Sequence, residues 1–338
     1  MKVLVNGIGN IGVTLLNVLI QHKKRLGISE VYALKNKLFP WNNTELEMLK
    51  EKGVIVCTKE KHLQFQEIDS CINLIDYIFD TTTNGMGLEN KPWYKKLEKL
   101  KGCSAQGSEK GFGIPFMSKI NEEAIINKKF VQIVSCNTHA IASLLNVFAG
   151  ERLEKLCKAD FVIVRRSEDL GNHERLVTSN VVARHLDDVL GTHHAIDVKD
   201  LYETQGISAD IQSSDITTPS QLMHAVRFNI ELNQKIDKSN IESLLKENVY
   251  VSSTNKFDSN VIFELGRRYG FMGRIFSHAI VVDNNMLINN KVVKAWAFIP
   301  QEGNTILSTI NAFLLQTGVK NSKNVMDNLE NFLLRSSW

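Results

Sequence analysis

The length, composition and charge of the chain limit the classes of protein to which it can belong. Its 338 residues exceed the usual size of one domain and suggest two. The 43% hydrophobic and 23% charged content is that of a globular protein, not of a disordered or membrane-spanning chain. The 40 basic and 37 acidic residues are spread along the sequence, so the net charge of +3 offers no basic block for a nucleic acid. We therefore expect a small-molecule substrate and no nucleic-acid partner.

The sequence also gives no sign of a membrane segment. The first ten residues, MKVLVNGIGN, contain an apolar run that is too short for the core of a signal peptide, and no run approaches about 18 apolar residues. The five cysteines lack CxxC spacing, which in a chain of this size favours reduced thiols over disulfides. We expect a cytoplasmic protein without membrane association.

The first 140 residues alternate short apolar runs with helical patterns. A helix is predicted at NIGVTLLNVLIQHKKRL, and strands are predicted at KVLVN, EVYAL, GVIVCT, DYIFDTT, CSAQG and VQIVSC. This alternation is typical of a βαβ series, so we expect an α/β domain built on a parallel sheet.

From about residue 160 the pattern changes. Two helices are predicted, at NIESLLKEN and NVIFELGRRYG, and strands are predicted at FVIVRRS, HAVRFNIEL, VYVSS, HAIVVDN and KVVKAWAFI. The excess of strands favours an α+β domain with a largely antiparallel sheet. The segment from NTILSTINAFLLQTG onward is helical again, and we expect it to return to the first domain. The predicted domains are therefore 1–138 with 303–338, and 139–302.

A glycine-rich motif lies between the first strand and the first helix. In VNGIGNIG, Gly7, Gly9 and Gly12 have GxGxxG spacing. Glycine at these positions allows a tight turn, close approach of the backbone to a pyrophosphate and close packing of helix on strand, and the helix N-terminus attracts the phosphate. The motif predicts dinucleotide binding, although a glycine turn alone can be only a turn.

The end of the second strand bears on the type of dinucleotide. EVYAL is followed by Lys35, Asn36 and Lys37 instead of the acidic residue that binds a ribose 2′-hydroxyl. A cation here can pair with a 2′-phosphate, so the sequence favours NADP over NAD. The alternative is an ordinary solvated loop.

One cysteine, Cys136, lies where the strand VQIV meets a helical pattern. A thiol at a helix N-terminus is expected to have a lowered pKa and a larger thiolate fraction, which makes it a candidate nucleophile. A packed core thiol is the alternative, with about equal weight. Cys103 is a weaker candidate.

A dinucleotide and a reactive cysteine together suggest oxidation of an aldehyde. The thiolate adds to the aldehyde, hydride passes to the nicotinamide, and a thioester remains on the cysteine. Such a site needs a base, usually histidine. The sequence offers His139, His173, His185, His193, His194 and His224 without ranking them. No HxxxH or mixed Cys/His spacing occurs, so we expect no metal site.

Two adjacent arginines end the strand FVIV. Consecutive strand side chains point to opposite faces, so one of Arg165 and Arg166 can enter a cleft and bind an anionic substrate while the other packs elsewhere. A surface pair is the alternative.

Several motifs, taken together, resemble one family. VNGIGNIG, AQGSEKG, VSCNT, FVIVRRS, THHAIDV, QLMHAV and IPQEG occur in the order and approximate spacing of the archaeal-type (class II) glyceraldehyde-3-phosphate dehydrogenases. The resemblance covers nearly the whole chain. It implies a Rossmann domain closed by the C-terminal helix, an antiparallel catalytic domain and a homotetramer. The implied reaction is phosphorylating, uses NAD(P) and inorganic phosphate, and passes through a cysteine thioester to 1,3-bisphosphoglycerate.

The resemblance also implies roles for individual residues. Cys136 would be the nucleophile and His224 the general base. The positions that would bind substrate are Ser135, Asn137, Thr138, Arg165 and His193. The positions that would contact the cofactor, beside the glycines and lysine loop described above, are Asn10, Ile11, Gly107, Arg166, His194, Ala195 and Gln301.

The chain departs from this family at two places. His139 and Ala140 replace a small polar residue and a glycine after SCNT, and segment 176–195 lacks the Lys-Gly-Pro loop expected there, with Ala195 in place of glycine. These differences leave two alternatives open: a related aldehyde or acyl-phosphate oxidoreductase with another substrate, and a non-catalytic nucleotide-binding protein.

Overall fold

The structure is a computed structural model that describes residues 1–170, 176–320 and 322–333. His173 and the end of the predicted segment 303–338 therefore lie outside the described residues. Contacts between Cα atoms divide the chain into two compact units: Met1–Val134 with Ile306–Asn328, and Ser135–Thr305 with the chain from Leu329 onward. The domain limits predicted from the sequence, at 138 and 303, stay a prediction.

The described residues form strands and helices of ordinary length. The strands are β1 Lys2–Asn6, β2 Glu30–Lys35, β3 Ile55–Thr58, β4 Gln66–Glu67, β5 Tyr77–Asp80, β6 Gly102–Gln106, β7 Ile114–Phe116, β8 Phe130–Ile133, β9 Leu156–Arg165, β10 Val181–Val182, β11 Ile211–Thr217, β12 His224–Leu232, β13 Val251–Thr254, β14 Ala279–Val282, β15 Leu287–Asn289 and β16 Val292–Ile299. The helices are α1 Asn10–Gln21, α2 Asn43–Glu51, α3 Met86–Lys95, α4 Cys136–Ala149, α5 His193–Glu203, α6 Lys238–Glu247, α7 Ser259–Tyr269, α8 Ile306–Thr317 and α9 Ser322–Leu329. Among the described helices, none combines the length and apolar character needed to cross a membrane.

The first unit is built on a parallel sheet, as predicted. Its eight strands lie in the order β4-β3-β2-β1-β5-β6-β8-β7, and every pair is parallel. The chain moves outward from β1 in one direction through β2 and then in the other through β5. Such a reversal opens a crevice at the carboxyl ends of the two central strands, where Rossmann-like sheets bind nucleotides. The fold therefore places the glycine motif, which follows β1, at this crevice.

Buried aromatic residues hold α8 against this sheet. The ring of Phe313 meets that of Tyr77 edge-on, with centroids 5.0 Å apart, and also packs beside Phe79. The hydroxyl of Tyr77 donates to Oε1 of Gln316 at 2.6 Å. All four side chains of β5 are buried, as expected for a central parallel strand that is covered on both faces.

The second unit is built on a mixed sheet. Its main path is β10-β11-β9-β12-β16-β14-β13, and β15 pairs with β16. The prediction of a largely antiparallel sheet is confirmed, with two exceptions, since β11 pairs with β9 and β13 with β14 in parallel. The helix α4 packs on this sheet, where Phe148 and Phe228 have centroids 5.5 Å apart.

Candidate active site and nucleotide-binding residues

The glycine turn after β1 brings α1 close to the parallel sheet. Gly7 has φ +105, a conformation that favours glycine, and its N–H donates to the carbonyl of Leu34 at 3.1 Å. A Cβ on Gly12 would lie 2.1 Å from the carbonyl oxygen of Gly7 and 2.8 Å from Oγ1 of Thr81. Gly12 is therefore required for the packing of helix on strand.

Gly9 lies in a different environment from its two partners in the motif. It is exposed, and a Cβ built on it meets no described heavy atom within 4 Å. It precedes Asn10 and Ile11, the first residues of α1, where the positive end of the helix dipole favours an anion. Gly107, directly after β6, has φ +82 and is equally open. These features fit the pyrophosphate of a dinucleotide.

A buried polar network connects the carboxyl ends of the central strands. Nδ2 of Asn36 donates to Oδ1 of Asn6 at 2.8 Å, and Nδ2 of Asn6 donates to the hydroxyl of Tyr94 at 2.6 Å. Tyr94 in turn donates to Asp80. Lys35 ends β2 and is partly exposed, so the network fixes the loop that carries this cation beside the crevice.

Cys136 is the first residue of α4 and is partly exposed. Ser135 caps this helix, with its hydroxyl accepting from the N–H of Thr138 at 3.3 Å and lying 2.9 Å from Thr138 Oγ1. The amide of Asn304 donates to the carbonyl of Cys136 at 3.0 Å and to that of His278 at 3.1 Å. The cap and this amide fix the position of the thiol.

The pKa of the Cys136 thiol differs from our expectation. Burial raises it to about 11; the guanidinium of Arg166 opposes this effect, and the carboxylates of Asp169 and Glu302 add to it. The N–H of Asn137 also lowers the pKa, but by less. The predicted lowering was wrong because removal from water disfavours the thiolate more than the helix terminus favours it.

The other cysteines have less favourable positions for a nucleophile. Cys57, Cys71 and Cys103 are buried in the first unit, and burial raises the pKa of Cys103 well above its ordinary value. Cys157 is exposed on β9. Among the five, Cys136 alone combines access to solvent with the first position of a helix.

His224, the first residue of β12, is held by two polar groups. The backbone N–H of Arg166 donates to its Nδ1 at 2.9 Å. Nδ1 is therefore an acceptor, and in the neutral ring the proton lies on Nε2. The amide of Gln301 must then turn its oxygen towards the ring, where it lies 2.9 Å from both ring nitrogens and 3.0 Å from Nε of Arg166. Burial, and then the positive charges of Arg166 and Arg165, lower the pKa of His224 well below its ordinary value, so the ring is neutral at pH 7.

The two arginines at the end of β9 lie in opposite environments, as the strand periodicity predicts. Arg166 is buried, and its Nη2 donates to Asp169 at 2.5 Å and to Glu302 at 2.6 Å. The side chain of Arg165 is 40% exposed, and its Nη1 lies 3.9 Å from Oδ1 of Asp215. Arg165 is therefore the member of the pair that can reach a soluble anion.

The histidine pair lies at the start of α5. His193 is partly exposed and His194 is buried, with ring centroids 3.8 Å apart. Nε2 of His194 lies 3.3 Å from Oδ2 of Asp215 on β11. The backbone N–H of Ala195 donates to Oγ of Ser213 at 3.0 Å, which binds the first turn of α5 to that strand.

His139, which departs from the family pattern, faces the interior of the second unit. Its side chain is fully buried, and its ring meets that of His278 nearly edge-on, with centroids 5.0 Å apart. His278 is itself buried between Tyr250 and the hydroxyl of Ser143, which lies 2.7 Å from its Nδ1. His139 is thus a core residue.

The predicted site residues divide between the two units. The first unit contains Gly7, Gly9, Asn10, Ile11, Gly12, Lys35, Asn36 and Gly107. The second contains Ser135, Cys136, Asn137, Thr138, Arg165, Arg166, His193, His194, Ala195, His224 and Gln301. Sequence reasoning missed Asp169, Asp215, Glu302 and Asn304. Glu302 and Asn304 follow Gln301 directly in the motif IPQEGN, which was an available signal.

Comparisons with known proteins give one consistent result. No protein-family model matches the chain. A protein from Saccharolobus islandicus named glyceraldehyde-3-phosphate dehydrogenase is 25% identical over 335 residues, which cover 94% of this chain and 92% of that protein. A protein of the same name from Saccharolobus solfataricus is 28% identical over 78% of this chain and 76% of that protein. One from Metallosphaera sedula is 24% identical over 94% of this chain and 93% of that protein. These relatives support a glyceraldehyde-3-phosphate-dehydrogenase-like family for this chain.

Proposed function

We propose that this chain is an NAD(P)-dependent, phosphorylating glyceraldehyde-3-phosphate dehydrogenase of the archaeal (class II) type. The similarity to proteins of that name over 94% of the chain supports the reaction. The observation that carries the proposal is the arrangement in the second unit. There the positive charge of Arg166 lowers the pKa of the Cys136 thiol, and the backbone N–H of Arg166 donates to the imidazole of His224.

The first unit supplies the residues for the cofactor. Gly9 leaves room for a pyrophosphate at the positive end of the α1 dipole, while Gly12 allows α1 to lie close to β1. Lys35 and Lys37 favour the 2′-phosphate of NADP over the free hydroxyl of NAD. A bound nicotinamide would supply the hydride acceptor that oxidation of the aldehyde requires.

Cys136 forms the covalent bond to the substrate. Its sulfur adds to the aldehyde carbon while its proton passes to His224, and His224 returns this proton to the aldehyde oxygen to give a thiohemiacetal. Loss of the hydride from carbon, with transfer of the hydroxyl proton to His224, leaves a thioester. A phosphate oxygen then attacks the thioester carbon, the C–S bond breaks, and the acyl phosphate departs as His224 returns its proton to the sulfur of Cys136. Ser135, Asn137 and Thr138 line the start of the helix beside these events.

His224 must present an unprotonated Nε2 to act as this base. In the described state Nε2 carries the proton, because Nδ1 accepts from the N–H of Arg166. The oxygen of Gln301 lies 2.9 Å from both ring nitrogens, so it can accept from whichever nitrogen is protonated. We infer that catalysis uses the tautomer protonated on Nδ1, in which the N–H of Arg166 gives up this acceptor and Nδ1–H donates to the oxygen of Gln301.

Two cationic or polar side chains remain for the phosphate groups. Arg165 is 40% exposed at the end of β9, and His193 is partly exposed at the start of α5. Both lie beside the buried Asp215. We assign to them the binding of an anionic substrate group, since a guanidinium matches phosphate geometry.

The cytoplasmic homotetramer implied by the family is part of the same proposal. Val182, Leu186 and Val189 are 72%, 70% and 67% exposed in segment 176–195. Exposed apolar side chains grouped in one segment are typical of an interface with another subunit.

A different aldehyde is the second candidate substrate, and segment 176–195 is its basis. His139 no longer favours it, because this side chain is buried in the core, away from solvent. The third possibility, a non-catalytic nucleotide-binding protein, is compatible with the raised pKa of Cys136 and requires in addition that this thiol be unreactive.

The experiment that tests the proposal is an assay that combines NADP⁺ or NAD⁺ with and without inorganic phosphate. Glyceraldehyde 3-phosphate and unphosphorylated glyceraldehyde serve as matched substrates. We expect sustained cofactor reduction only with the phosphorylated aldehyde and phosphate together. Equal turnover of both aldehydes would favour the second candidate, and absence of turnover with every combination would contradict the proposal.

Charge reversal at Lys37 tests the cofactor preference. Lys37→Glu places a carboxylate where a 2′-phosphate would bind, so kcat/KM for NADP⁺ should fall at least about tenfold relative to that for NAD⁺. Lys99→Glu is the control, because Lys99 is exposed and lies just before the amino end of β6, whereas Lys37 follows the carboxyl end of β2. An unchanged ratio in Lys37→Glu would contradict the assigned position of the 2′-phosphate.

A further inference from the structure

Three possible metal ligands meet in the second unit. One ligand atom each of His193, His194 and Asp215 lies within 4.8 Å of the others. We call these residues the His-Asp cluster. Sequence patterns do not reveal this cluster, because two adjacent histidines and an aspartate 21 residues after the second match no common ligand spacing.

The cluster is built by a strand and a helix that are bound to each other. Ser213 and Asp215 are buried on the same face of β11, two residues apart. Ser213 accepts from the N–H of Ala195, and its hydroxyl lies 2.7 Å from that of Thr192, the residue before α5. The first turn of α5 is therefore fixed over Asp215, which brings the adjacent histidines to this carboxylate.

The buried members of the cluster are poorly satisfied. His194 is 1% exposed and Asp215 is 3% exposed. Neither ring nitrogen of His194 and neither oxygen of Asp215 makes a hydrogen bond of acceptable geometry to the described residues. The two groups face each other at 3.3 Å, and Nη1 of Arg165 lies 3.9 Å from the carboxylate. Buried polar groups held only by such loose contacts are costly, so they indicate a ligand.

The distance between the two buried side chains fits a metal ion. Ligand atoms about 2.0–2.2 Å from Zn²⁺ at tetrahedral angles lie roughly 3.3–3.5 Å apart. Nε2 of His194 and Oδ2 of Asp215 are 3.3 Å apart. We propose that the His-Asp cluster binds one divalent transition-metal ion of the Zn²⁺ class through His193, His194 and Asp215, with a fourth position open to solvent or substrate.

The neighbouring charge is compatible with this site. Arg165 approaches Oδ1 of Asp215, with Nη1 at 3.9 Å, and leaves Oδ2 for the metal. His193 is partly exposed, and one of its ring nitrogens lies within 4.8 Å of the ligand atoms of the other two residues. Two imidazoles and one carboxylate form a donor set that Zn²⁺ and Co²⁺ readily accept.

Titration with Co²⁺ tests the site. The full-length Cys136→Ser variant is used so that the nucleophilic thiol cannot bind the metal. We expect the visible absorption of four-coordinate Co²⁺ to saturate at one ion per chain and to disappear when Zn²⁺ is added. His194→Ala and Asp215→Asn should each weaken Co²⁺ binding by more than about tenfold, whereas His185→Ala, an exposed histidine in the preceding segment, should not.

The outcomes are decisive whatever the reaction proves to be, since the readout is spectroscopic and does not depend on the proposed function. His193→Ala provides a third ligand variant if a buried substitution prevents folding, as judged by circular dichroism. Saturation at one equivalent with loss in the ligand variants supports the site. Absence of the four-coordinate spectrum, or an equal spectrum in His194→Ala and Asp215→Asn, overturns it.

Discussion

At the residue scale, the pKa of the Cys136 thiol is set first by burial and then by neighbouring charges of opposite sign. Burial raises its pKa to about 11, so in the free protein only about one thiol in ten thousand is ionised at pH 7. Because the pKa lies above neutrality, the rate of alkylation by iodoacetamide should rise about tenfold per pH unit until the pH approaches about 11. A plateau reached near pH 7 would contradict this pKa.

Two substitutions beside the thiol should change its reactivity in opposite directions. Arg166→Gln removes the charge that favours the thiolate. Alkylation at pH 8.5, which is below the pKa of the thiol, should therefore slow about threefold or more. Asp169→Asn removes a charge that disfavours it, so alkylation should accelerate by about twofold. Asp169 is largely exposed, so this variant should fold even if Arg166→Gln does not. A change of the same sign in both folded variants would contradict the electrostatic assignment.

The contacts of His224 make a second prediction at this scale. Gln301→Leu leaves Nε2–H of His224 and Nε–H of Arg166 without their acceptor, so the free energy of unfolding should fall by about 1–3 kcal/mol. Gln212→Leu, at an exposed position of β11, should change it by no more than about 0.5 kcal/mol. Urea denaturation measures both. Equal stability of the two variants would show that Gln301 does not bind these groups.

The residue-scale predictions from sequence succeeded where local geometry decides. Strand alternation separated Arg165 from Arg166, and the strand-to-helix pattern placed Cys136 at the first position of α4. Sequence could not give the direction in which the thiol pKa shifts, because the burial of Cys136 and the positions of the Asp169 and Glu302 carboxylates depend on the tertiary fold. For the same reason the backbone N–H of Arg166 could not be recognised as the partner of His224.

At the element scale, the turn between β1 and α1 assigns separate tasks to two glycines. Gly9→Ala meets open space and its φ of −110 suits alanine, so the fold should persist while the methyl group hinders the pyrophosphate. Gly12→Ala would place a Cβ 2.1 Å from the backbone of Gly7, so α1 must move away from the sheet. We expect weakened cofactor binding in both variants, but a clear loss of thermal stability only in Gly12→Ala. Calorimetry and cofactor titration distinguish the two effects, and loss of stability in Gly9→Ala would contradict the assignment.

The sequence predicted most elements, and the failures have physical causes. The strand pattern KVVKAWAFI corresponds to β16, whose side chains alternate in burial over its first half, and the GxGxxG motif correctly placed β1 and α1. β11 was missed because IQSSDIT buries polar side chains, Ser213 and Asp215, on the face where an apolar pattern is expected. Burial of such residues is tolerable only where α5 supplies partners, which no local pattern can show.

At the scale of the whole molecule, the chain contains two units with different chemistry. The first carries an open glycine turn suited to a dinucleotide, and the second carries a cysteine, a histidine and an arginine pair. Similarity over 94% of the chain to proteins named glyceraldehyde-3-phosphate dehydrogenase connects the two.

In the proposed reaction, Cys136 carries a thioester which phosphate cleaves. The decisive measurement mixes the protein with NADP⁺ and glyceraldehyde 3-phosphate in the absence of phosphate, and follows cofactor reduction and the intact mass of the protein. We predict a burst of about one reduced cofactor per chain, an acyl adduct on Cys136, and renewed turnover when phosphate is added. Cys136→Ser should show neither burst nor adduct. Steady turnover without phosphate, or a burst that persists in Cys136→Ser, would contradict the account.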